Sequence, residues 1–162
     1  MHTLSPDGRS RGTTGISAMQ DPVTISLRDA AYLALTISDN AAGDALFDAV
    51  GIEGLAAELE ALGLHEIRIR EPMRDLYDRV EAGGVLEESA SVATPRALVR
   101  LLELIWRDEA ASASTCAWLR DLMQRQVWNA RLASAFPAVD IAVPGKTGTV
   151  GHSRHEIGVI TY

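Results

Sequence analysis

The sequence has very little of what several classes of protein need. Cys116 is its only cysteine, so an internal disulfide is impossible and a cysteine-based zinc site lacks its thiolates. No apolar run approaches the roughly 18 residues of a membrane-spanning helix, and we expect no membrane span. The polar, turn-rich start has no apolar segment of the kind found in signal peptides, and the compartment stays undetermined.

Basic residues are few and of one kind. The 162 residues carry 15 Lys and Arg against 22 Asp and Glu, a net charge of −7, and no basic cluster. This balance disfavours nucleic acid or an anionic membrane as a partner. Fourteen of the basic residues are arginines, and Lys146 is the single lysine. The presence of lysine, rather than arginine, at position 146 therefore needs an explanation.

The rest of the composition is that of a one-domain globular chain, with 47% hydrophobic and 23% charged residues. His65, His152 and His155 do not form a metal-ligand pattern, and we expect neither a metal nor a cofactor.

Hydrophobic periodicity predicts a mostly helical chain whose strands collect at its C-terminal end. Residues 1–22 are predicted to be a loop or tail, and residues 23–162 a domain. Its helical part covers about residues 26–135. One predicted break between helices falls at Gly51, and Ser26 and Thr94-Pro95 resemble helix starts. Strands are predicted over about residues 139–162, with a hairpin formed by residues 146–150 and 156–162.

Residues 64–92 lose clear periodicity, and we expect a long loop there. Residues 67–70 alternate between isoleucine and arginine, which is typical of a short strand. The loop also contains Glu71-Pro72 and an acidic pair, Glu87 and Glu88. Loops of this length inside a compact domain are uncommon and often functional.

Two short motifs stand out: Ser38-Asp39-Asn40 between two predicted helices, and Lys146-Thr147-Gly148-Thr149 on a predicted strand. Each alone has an ordinary explanation, a helix cap or a surface lysine. Both together, in this order, are expected by chance in roughly a few of ten thousand chains. The pair resembles the S-D-N and K-T-G motifs of class A β-lactamases and penicillin-binding proteins.

Other segments extend this resemblance over about residues 15–162. Glu71-Pro72 resembles the family's Glu-Pro at the start of the Ω-loop, and Thr94-Pro95 the helix start after it. Residues 131–137 resemble the run that leads into the K-T-G strand. The resemblance implies a fold that is α+β and predominantly α: a helical lobe plus the K-T-G β-hairpin, as part of a β-lactamase/penicillin-binding fold.

The resemblance implies roles for the residues of the first motif and for Glu71. Ser38 matches the hydroxyl that passes a proton to the departing ring nitrogen. Asn40 matches the amide that binds the substrate's side-chain carbonyl, and Asp39 a residue that holds the loop together. Glu71 matches the base that activates water for deacylation.

The second motif is implied to bind the substrate's carboxylate and its reacting carbonyl. Lys146 and Thr147 supply a cation and a hydroxyl for the carboxylate. Gly148 lets the substrate lie close to the strand backbone, and the N–H of Thr149 matches an oxyanion-hole donor. The implied partner is a small molecule, a β-lactam or an acyl-D-Ala-D-Ala-like peptide.

Two departures from the family pattern matter. The nucleophilic S-x-x-K motif needs a second lysine, and Lys146 is the only one. Glu71 is followed by Pro72-Met73-Arg74-Asp75, whereas β-lactamases usually have Glu-Pro-x-Leu-Asn. We therefore expect a segment, truncated at both ends, of a serine hydrolase that hydrolyses β-lactams through an acyl-enzyme, and we expect it to be inactive alone.

Two alternative functions stay open at this point. The first is a D-Ala-D-Ala carboxypeptidase or esterase-like relative, and the second is a non-catalytic remnant or binding module. Members of this family are often exported from the cell.

Overall fold

The chain divides into two units, Met1–Thr94 and Pro95–Tyr162. The structure is a computed structural model that describes residues 1–84 and 90–162. Glu87 and Glu88 lie outside the described residues.

The N-terminal unit is built mainly from helices. Its elements in chain order are β1 (His2–Leu4), a 3-10 turn (Gly15–Ala18), β2 (Val23–Ile25), α1 (Leu27–Thr36), α2 (Asn40–Ala61), β3 (Ile67–Arg68), α3 (Met73–Glu81) and β4 (Val92–Ala93). Strand β1 pairs antiparallel with β2, and β3 pairs antiparallel with β4. These two-stranded sheets are short, and a buried core cluster of this unit lies on the helices.

The start of α1 follows from its sequence. The hydroxyl of Ser26 accepts a hydrogen bond from the N–H of Asp29 at 3.0 Å and donates to the Asp29 carboxylate at 2.6 Å. This confirms the predicted cap, in which two side chains satisfy groups that a helix start leaves free. Small residues on α1 and α2 then form the buried contact between these helices: Ala30, Ala42 and Ala45.

Glycine divides α2 into two helical segments. Gly51 has φ 75° and ψ 160°, which lies outside the helical region. The predicted break at this residue is therefore confirmed. Gly63, just past the end of α2, has φ 69°, a conformation that glycine adopts at little cost.

Residues 1–22 form a packed segment around one guanidinium. Ser10 and Ile16 are buried. Arg9 donates hydrogen bonds to the backbone carbonyls of Leu4, Ile16, Met19 and Asp21, at distances of 2.6 to 3.0 Å. The segment has little regular structure, yet these four bonds fix its path.

The expected loop over residues 64–92 is wrong in part, because α3 lies inside it. Asp44, a buried residue of α2, accepts hydrogen bonds from the N–H groups of Met73 at 2.6 Å and Arg74 at 3.0 Å. It also accepts one from the hydroxyl of Ser10. The helix is thus capped from 29 residues away, and no local sequence signal marks its start.

The C-terminal unit combines two helices with a hairpin. Its elements are α4 (Pro95–Trp106), α5 (Ala113–Gln124), a 3-10 turn (Ala133–Ala135), β5 (Gly145–Val150) and β6 (Ser153–Gly158). Helix α4 begins at Pro95, as predicted, and α5 begins after a Ser112 cap. The buried side chains come from both helices: Ala97, Leu102, Leu104, Ile105, Cys116, Leu122 and Met123.

The hairpin is tighter than predicted. Strand β6 runs from Ser153 to Gly158. It begins as early as Ser153 because Gly151, with φ 54°, lets the chain turn within two residues. Outside the hairpin, the strands expected over about residues 139–162 are limited to one bridge among the described residues, between Ala142 and Thr161.

The predicted class, α+β and predominantly α, is confirmed by the helices and short antiparallel sheets of the two units. Among the described residues, no helix is long and apolar enough to cross a membrane.

Asp44→Ala should lower the free energy of unfolding by about 2 to 4 kcal/mol, because it leaves the first N–H groups of α3 without their buried acceptor. Urea unfolding measured by circular dichroism gives this value.

Asp48→Ala is the matched control. Asp48 lies one turn further along α2 and binds the guanidinium of Arg74 at the surface, and its loss should cost below about 1 kcal/mol. Equal costs for the two variants would contradict the capping role of Asp44.

Candidate active site

Asp39 links two segments of the N-terminal unit. It is 2% exposed and caps α2, because its carboxylate accepts hydrogen bonds from the N–H groups of Ala41 and Ala42 at 3.0 and 3.3 Å. The same carboxylate accepts bonds from the N–H of Ile16 at 2.6 Å and the hydroxyl of Ser17 at 2.8 Å. One buried group therefore fixes the 3-10 turn against the start of α2.

Ser38 has a conformation that side chains rarely adopt, with φ 60°. A non-glycine residue in this region costs roughly 1 to 2 kcal/mol and persists only where its surroundings enforce it. Here the neighbouring Asp39 is held by its hydrogen bonds, so the turn between α1 and α2 is fixed. Such strain is typical of functional positions.

Asn40 is the first residue of α2 and is half-buried. Its side-chain amide donates a hydrogen bond to the backbone carbonyl of Arg11 at 2.7 Å. This bond orients the amide and connects it to the packed segment around Arg9.

The sequence analysis missed two residues that contact or pack against Asp39, namely Ser17 and Gly15. Ser17 donates its hydroxyl to Asp39 and accepts a hydrogen bond from the N–H of Ala41 at 2.9 Å. Gly15 has φ 59°, and a Cβ there would overlap the Asp39 carboxylate. Both lie in a segment that reads only as turn-rich, so no local signal indicates these contacts.

Glu71 lies between β3 and α3, where its side chain is largely buried and forms an ion pair with the guanidinium of Arg79. Arg79 lies on α3, and its backbone carbonyl accepts a hydrogen bond from Gly84 at the end of that helix. The carboxylate predicted to be a base thus already has a cationic partner.

Lys146 lies on β5, opposite Ile157 of β6. Its ammonium donates a hydrogen bond to the backbone carbonyl of Thr147 at 2.7 Å. Burial disfavours the charged form and lowers the pKa of Lys146 from its usual 10.5 to about 8. The lysine therefore holds its charge at neutral pH at a cost to the folded state.

Thr147 is held by Gln126, a residue that the sequence analysis also missed. The side-chain oxygen of Gln126 accepts hydrogen bonds from the N–H and the hydroxyl of Thr147, at 2.8 and 3.0 Å. Its amide nitrogen donates to the carbonyl of Gly145 at 2.8 Å. The Thr147 hydroxyl, which was predicted to bind a ligand, therefore donates its one proton to a buried amide oxygen.

Thr149 has a cationic neighbour in Arg131. The guanidinium of Arg131 donates to the Thr149 hydroxyl at 3.1 Å and to the carbonyl of His155 at 2.8 Å. The next residue, Leu132, donates its N–H to the Glu156 carboxylate at 2.9 Å. Two bonds from Arg131 and one from Leu132 thus attach this segment to the hairpin and place a second positive charge at the motif.

Packing does not explain the glycine at position 148. A Cβ at Gly148 would meet only the Cβ of His155, at 4.0 Å, whereas one at Gly145 would meet a backbone oxygen at 2.5 Å. Gly145 is therefore required by the hairpin. Gly148 leaves room beside the strand, which is consistent with close approach by a ligand.

Comparison with known proteins decides the family. A model described as the beta-lactamase enzyme family matches residues 1–162. The chain belongs to the beta-lactamase enzyme family. A beta-lactamase regulatory protein of Streptomyces cacaoi, BlaB, is 27% identical over 188 aligned residues, which cover 93% of this chain and 60% of that protein.

Solved structures show the same fold. The beta-lactamase from Sphaerobacter thermophilus has a TM-score of 0.84 and 23% identity, over 99% of this chain and 59% of that one. A PBP-A mutant in an acyl-enzyme complex with penicillin G has a TM-score of 0.80 and 23% identity, over 99% and 58%. The beta-lactamase/penicillin-binding fold predicted from the sequence is confirmed, and the chain spans about 60% of the length of these relatives.

Gly15→Ala should lower the free energy of unfolding by about 2 kcal/mol or more, because the added Cβ overlaps Asp39 and φ is positive. Gly8→Ala is the matched control. Gly8 has φ 76° and open space around it, so its variant should cost only about 1 kcal/mol. Denaturant unfolding measures both variants, and equal costs would argue against the tight packing at Asp39.

Lys146→Met should stabilise the protein at neutral pH. The pKa of Lys146 is lower in the folded state than in the unfolded state, so the free energy of unfolding should rise between pH 8 and 10.5, as the folded lysine loses its proton. The variant should gain about 1 to 3 kcal/mol at about pH 7, and this difference should vanish above pH 10.5. Unfolding curves at several pH values measure it.

A direct titration provides the control. Because Lys146 is the only lysine, selective ¹³C labelling of lysine gives one signal to follow by NMR. A midpoint near the usual 10.5, rather than about 8, would contradict the effect of burial.

Proposed function

We propose that this chain contributes the carboxylate-binding hairpin of a serine β-lactamase-like hydrolase that acts on β-lactams through an acyl-enzyme. The observation that carries the proposal is the Arg131 guanidinium bonded to the Thr149 hydroxyl beside Lys146-Thr147-Gly148. Thr147 and Thr149 are two residues apart on β5, so their side chains share one face of the hairpin. The Thr149 hydroxyl and the guanidinium on this face suit a carboxylate, whereas the proton of the Thr147 hydroxyl is already donated to Gln126.

In the reaction proposed for the hydrolase, a serine hydroxyl loses its proton as its oxygen forms a bond to the lactam carbonyl carbon, and the carbon–nitrogen bond breaks. Ser38 passes a proton to the departing nitrogen, and the N–H of Thr149 stabilises the negative charge on the carbonyl oxygen. Water then hydrolyses the ester. Asn40 binds the amide of the substrate's side chain, and Asp39 keeps Ser38 and Asn40 in position.

We assign no nucleophilic serine among the 162 residues. A serine three residues before a lysine does not occur, because Lys146 is the single lysine and position 143 is valine. We therefore propose that this chain binds β-lactams without turning them over.

A second candidate function is that of a D-Ala-D-Ala carboxypeptidase or esterase-like relative. The ion pair between Glu71 and Arg79 favours it, because a carboxylate whose oxygen is bound to a guanidinium is less available to bind and activate water. Slow deacylation would follow, and a mutant of PBP-A, whose fold is similar, has been captured as an acyl-enzyme with penicillin G.

A third candidate is a non-catalytic binding module. The Streptomyces cacaoi relative, BlaB, is named as a regulatory protein. A module of this kind would use the carboxylate-binding hairpin to recognise a β-lactam and would need no nucleophile.

Penicillin G should bind this chain with a dissociation constant of about 1 mM or weaker, shifting the NMR signals of Lys146, Thr147 and Thr149. Arg131→Gln should weaken binding by about 5-fold or more, because it removes the charge beside the Thr149 hydroxyl. An NMR titration measures both constants.

Arg125→Gln is the matched control, since Arg125 forms a surface ion pair with Asp121 and should leave the affinity within about 2-fold. Nitrocefin should not be hydrolysed faster than in buffer. Hydrolysis that disappears in Lys146→Ala would overturn the binding-only proposal, and penicillin G that shifts no signal of the hairpin would overturn the carboxylate site.

A further inference from the structure

Glu156 is a half-buried carboxylate on β6, directly opposite Thr147 of β5. Residues that lie opposite each other in an antiparallel pair place their side chains on the same face of the sheet. Glu156 therefore shares the hairpin face that carries Thr147 and Thr149. The guanidinium of Arg131 binds the Thr149 hydroxyl on this face. A carboxylate and a guanidinium thus lie side by side at the proposed carboxylate site.

These two opposite charges do not form an ion pair with each other. The Glu156 carboxylate accepts a hydrogen bond from the backbone N–H of Leu132 at 2.9 Å. The Arg131 guanidinium donates to two uncharged groups, the Thr149 hydroxyl and the carbonyl of His155. Within residues 1–84 and 90–162, no carboxylate forms an ion pair with Arg131. The positive charge of Arg131 therefore stays available to an anionic ligand on this face.

The bond from Glu156 fixes the peptide group that follows Arg131. This planar group consists of the Arg131 carbonyl and the Leu132 N–H. The carbonyl accepts a hydrogen bond from the hydroxyl of Ser134 at 2.7 Å, and the N–H donates to Glu156 across 24 residues of sequence. Both polar atoms of one peptide group are thus held, which sets the direction in which the Arg131 side chain leaves the backbone.

We propose that Glu156 is a positioning residue of the carboxylate-binding hairpin, which holds the peptide group after Arg131 so that the guanidinium lies at Thr149. The inference rests on the proposed function, because it concerns the same ligand face. Arg131 is exposed, and an exposed arginine side chain loses considerable rotamer freedom when it is ordered. An anchored backbone reduces the number of directions that the side chain can take before a ligand arrives.

The charge of Glu156 and its hydrogen bond act in opposite directions on ligand binding. The negative charge repels a ligand carboxylate on the same face, so removal of the charge alone should strengthen binding. The bond to Leu132 keeps Arg131 at the site, so removal of the bond should weaken binding. Glu156→Gln removes the charge and keeps a side-chain oxygen as acceptor, whereas Glu156→Ala removes both. These two variants therefore separate position from charge.

Hydrogen exchange and ¹⁵N relaxation of the 162-residue chain test the positioning role without any ligand. In Glu156→Ala, the Leu132 amide should exchange at least about 10-fold faster, because its acceptor is lost. The order parameter of the Arg131 Nε–H group should fall in the same variant. Glu156→Gln should keep the Leu132 exchange rate within about 3-fold of the parent chain and leave the order parameter unchanged.

The amides of Lys146 and Gly148 report on the hairpin itself. Gly145 and Thr147 bond to Gln126 on the side away from β6, so the alternate residues Lys146 and Gly148 face β6. Their exchange should change by less than about 2-fold in both variants. Acceleration of these two amides equal to that of Leu132 would show general destabilisation and overturn the proposal.

Glu109→Ala is the matched control, since Glu109 lies in the same unit and its carboxylate pairs with Arg100 at the surface, at 3.6 Å. It should leave the exchange of Leu132 and the order parameter of Arg131 unchanged. If Glu156→Ala matches this control in both measurements, Glu156 does not position Arg131.

Penicillin G titration followed by NMR then tests the consequence for binding. Glu156→Ala should weaken binding by about 3-fold or more, although it removes a negative charge. Glu156→Gln should bind penicillin G as tightly as the parent chain or up to about 3-fold more tightly. Binding by Glu156→Ala that is as tight as that of the parent chain, or tighter, would show that charge alone matters and would contradict the positioning role.

Failure of the proposed function gives a different result. If the parent chain does not bind penicillin G, the carboxylate site is wrong. The exchange of Leu132 and the relaxation of Arg131 still decide, without ligand, whether Glu156 holds this segment.

Discussion

The buried carboxylate of Asp39 is the contact on which the first motif depends. It caps α2 and also accepts hydrogen bonds from Ile16 and Ser17, so one side chain joins a loop to a helix start. A buried charge is tolerated only when its bonds are satisfied, and here five donors surround it. The strained turn at Ser38 lies directly before this carboxylate, and the Asn40 amide after it is oriented by its own bond to the carbonyl of Arg11.

The second motif is held by side chains from a neighbouring segment of the chain. Gln126 and Arg131, both from the segment between α5 and β5, bond to alternate residues of the K-T-G strand. The hairpin is short, and a two-stranded sheet alone is marginally stable. The Gln126 side chain therefore takes the place of a further strand along part of the edge of β5. Lys146 is held in the same region at an energetic cost to the folded state, because burial disfavours its charged form.

Local signals in the sequence were sufficient for some features and not for others. The cap at Ser26, the break at Gly51 and the helix that begins at Pro95 follow from neighbouring residues, and the structure confirms them. Helix α3 was missed because its cap, Asp44, is 29 residues away. Gln126 and Arg131 were missed for the same reason, since their bonds to β5 cross 18 to 21 residues. The two motifs were found because their residues are contiguous.

The guanidinium of Arg9 has a consequence for how substitutions are tolerated. Four backbone carbonyls between Leu4 and Asp21 converge on its two terminal nitrogens. A lysine ammonium has three donors on one atom and could not satisfy four acceptors arranged around a planar fork. The abundance of arginine in this chain is therefore not neutral at every position. At position 9, the shape of the cation selects the residue, whereas at position 146 a compact ammonium is retained.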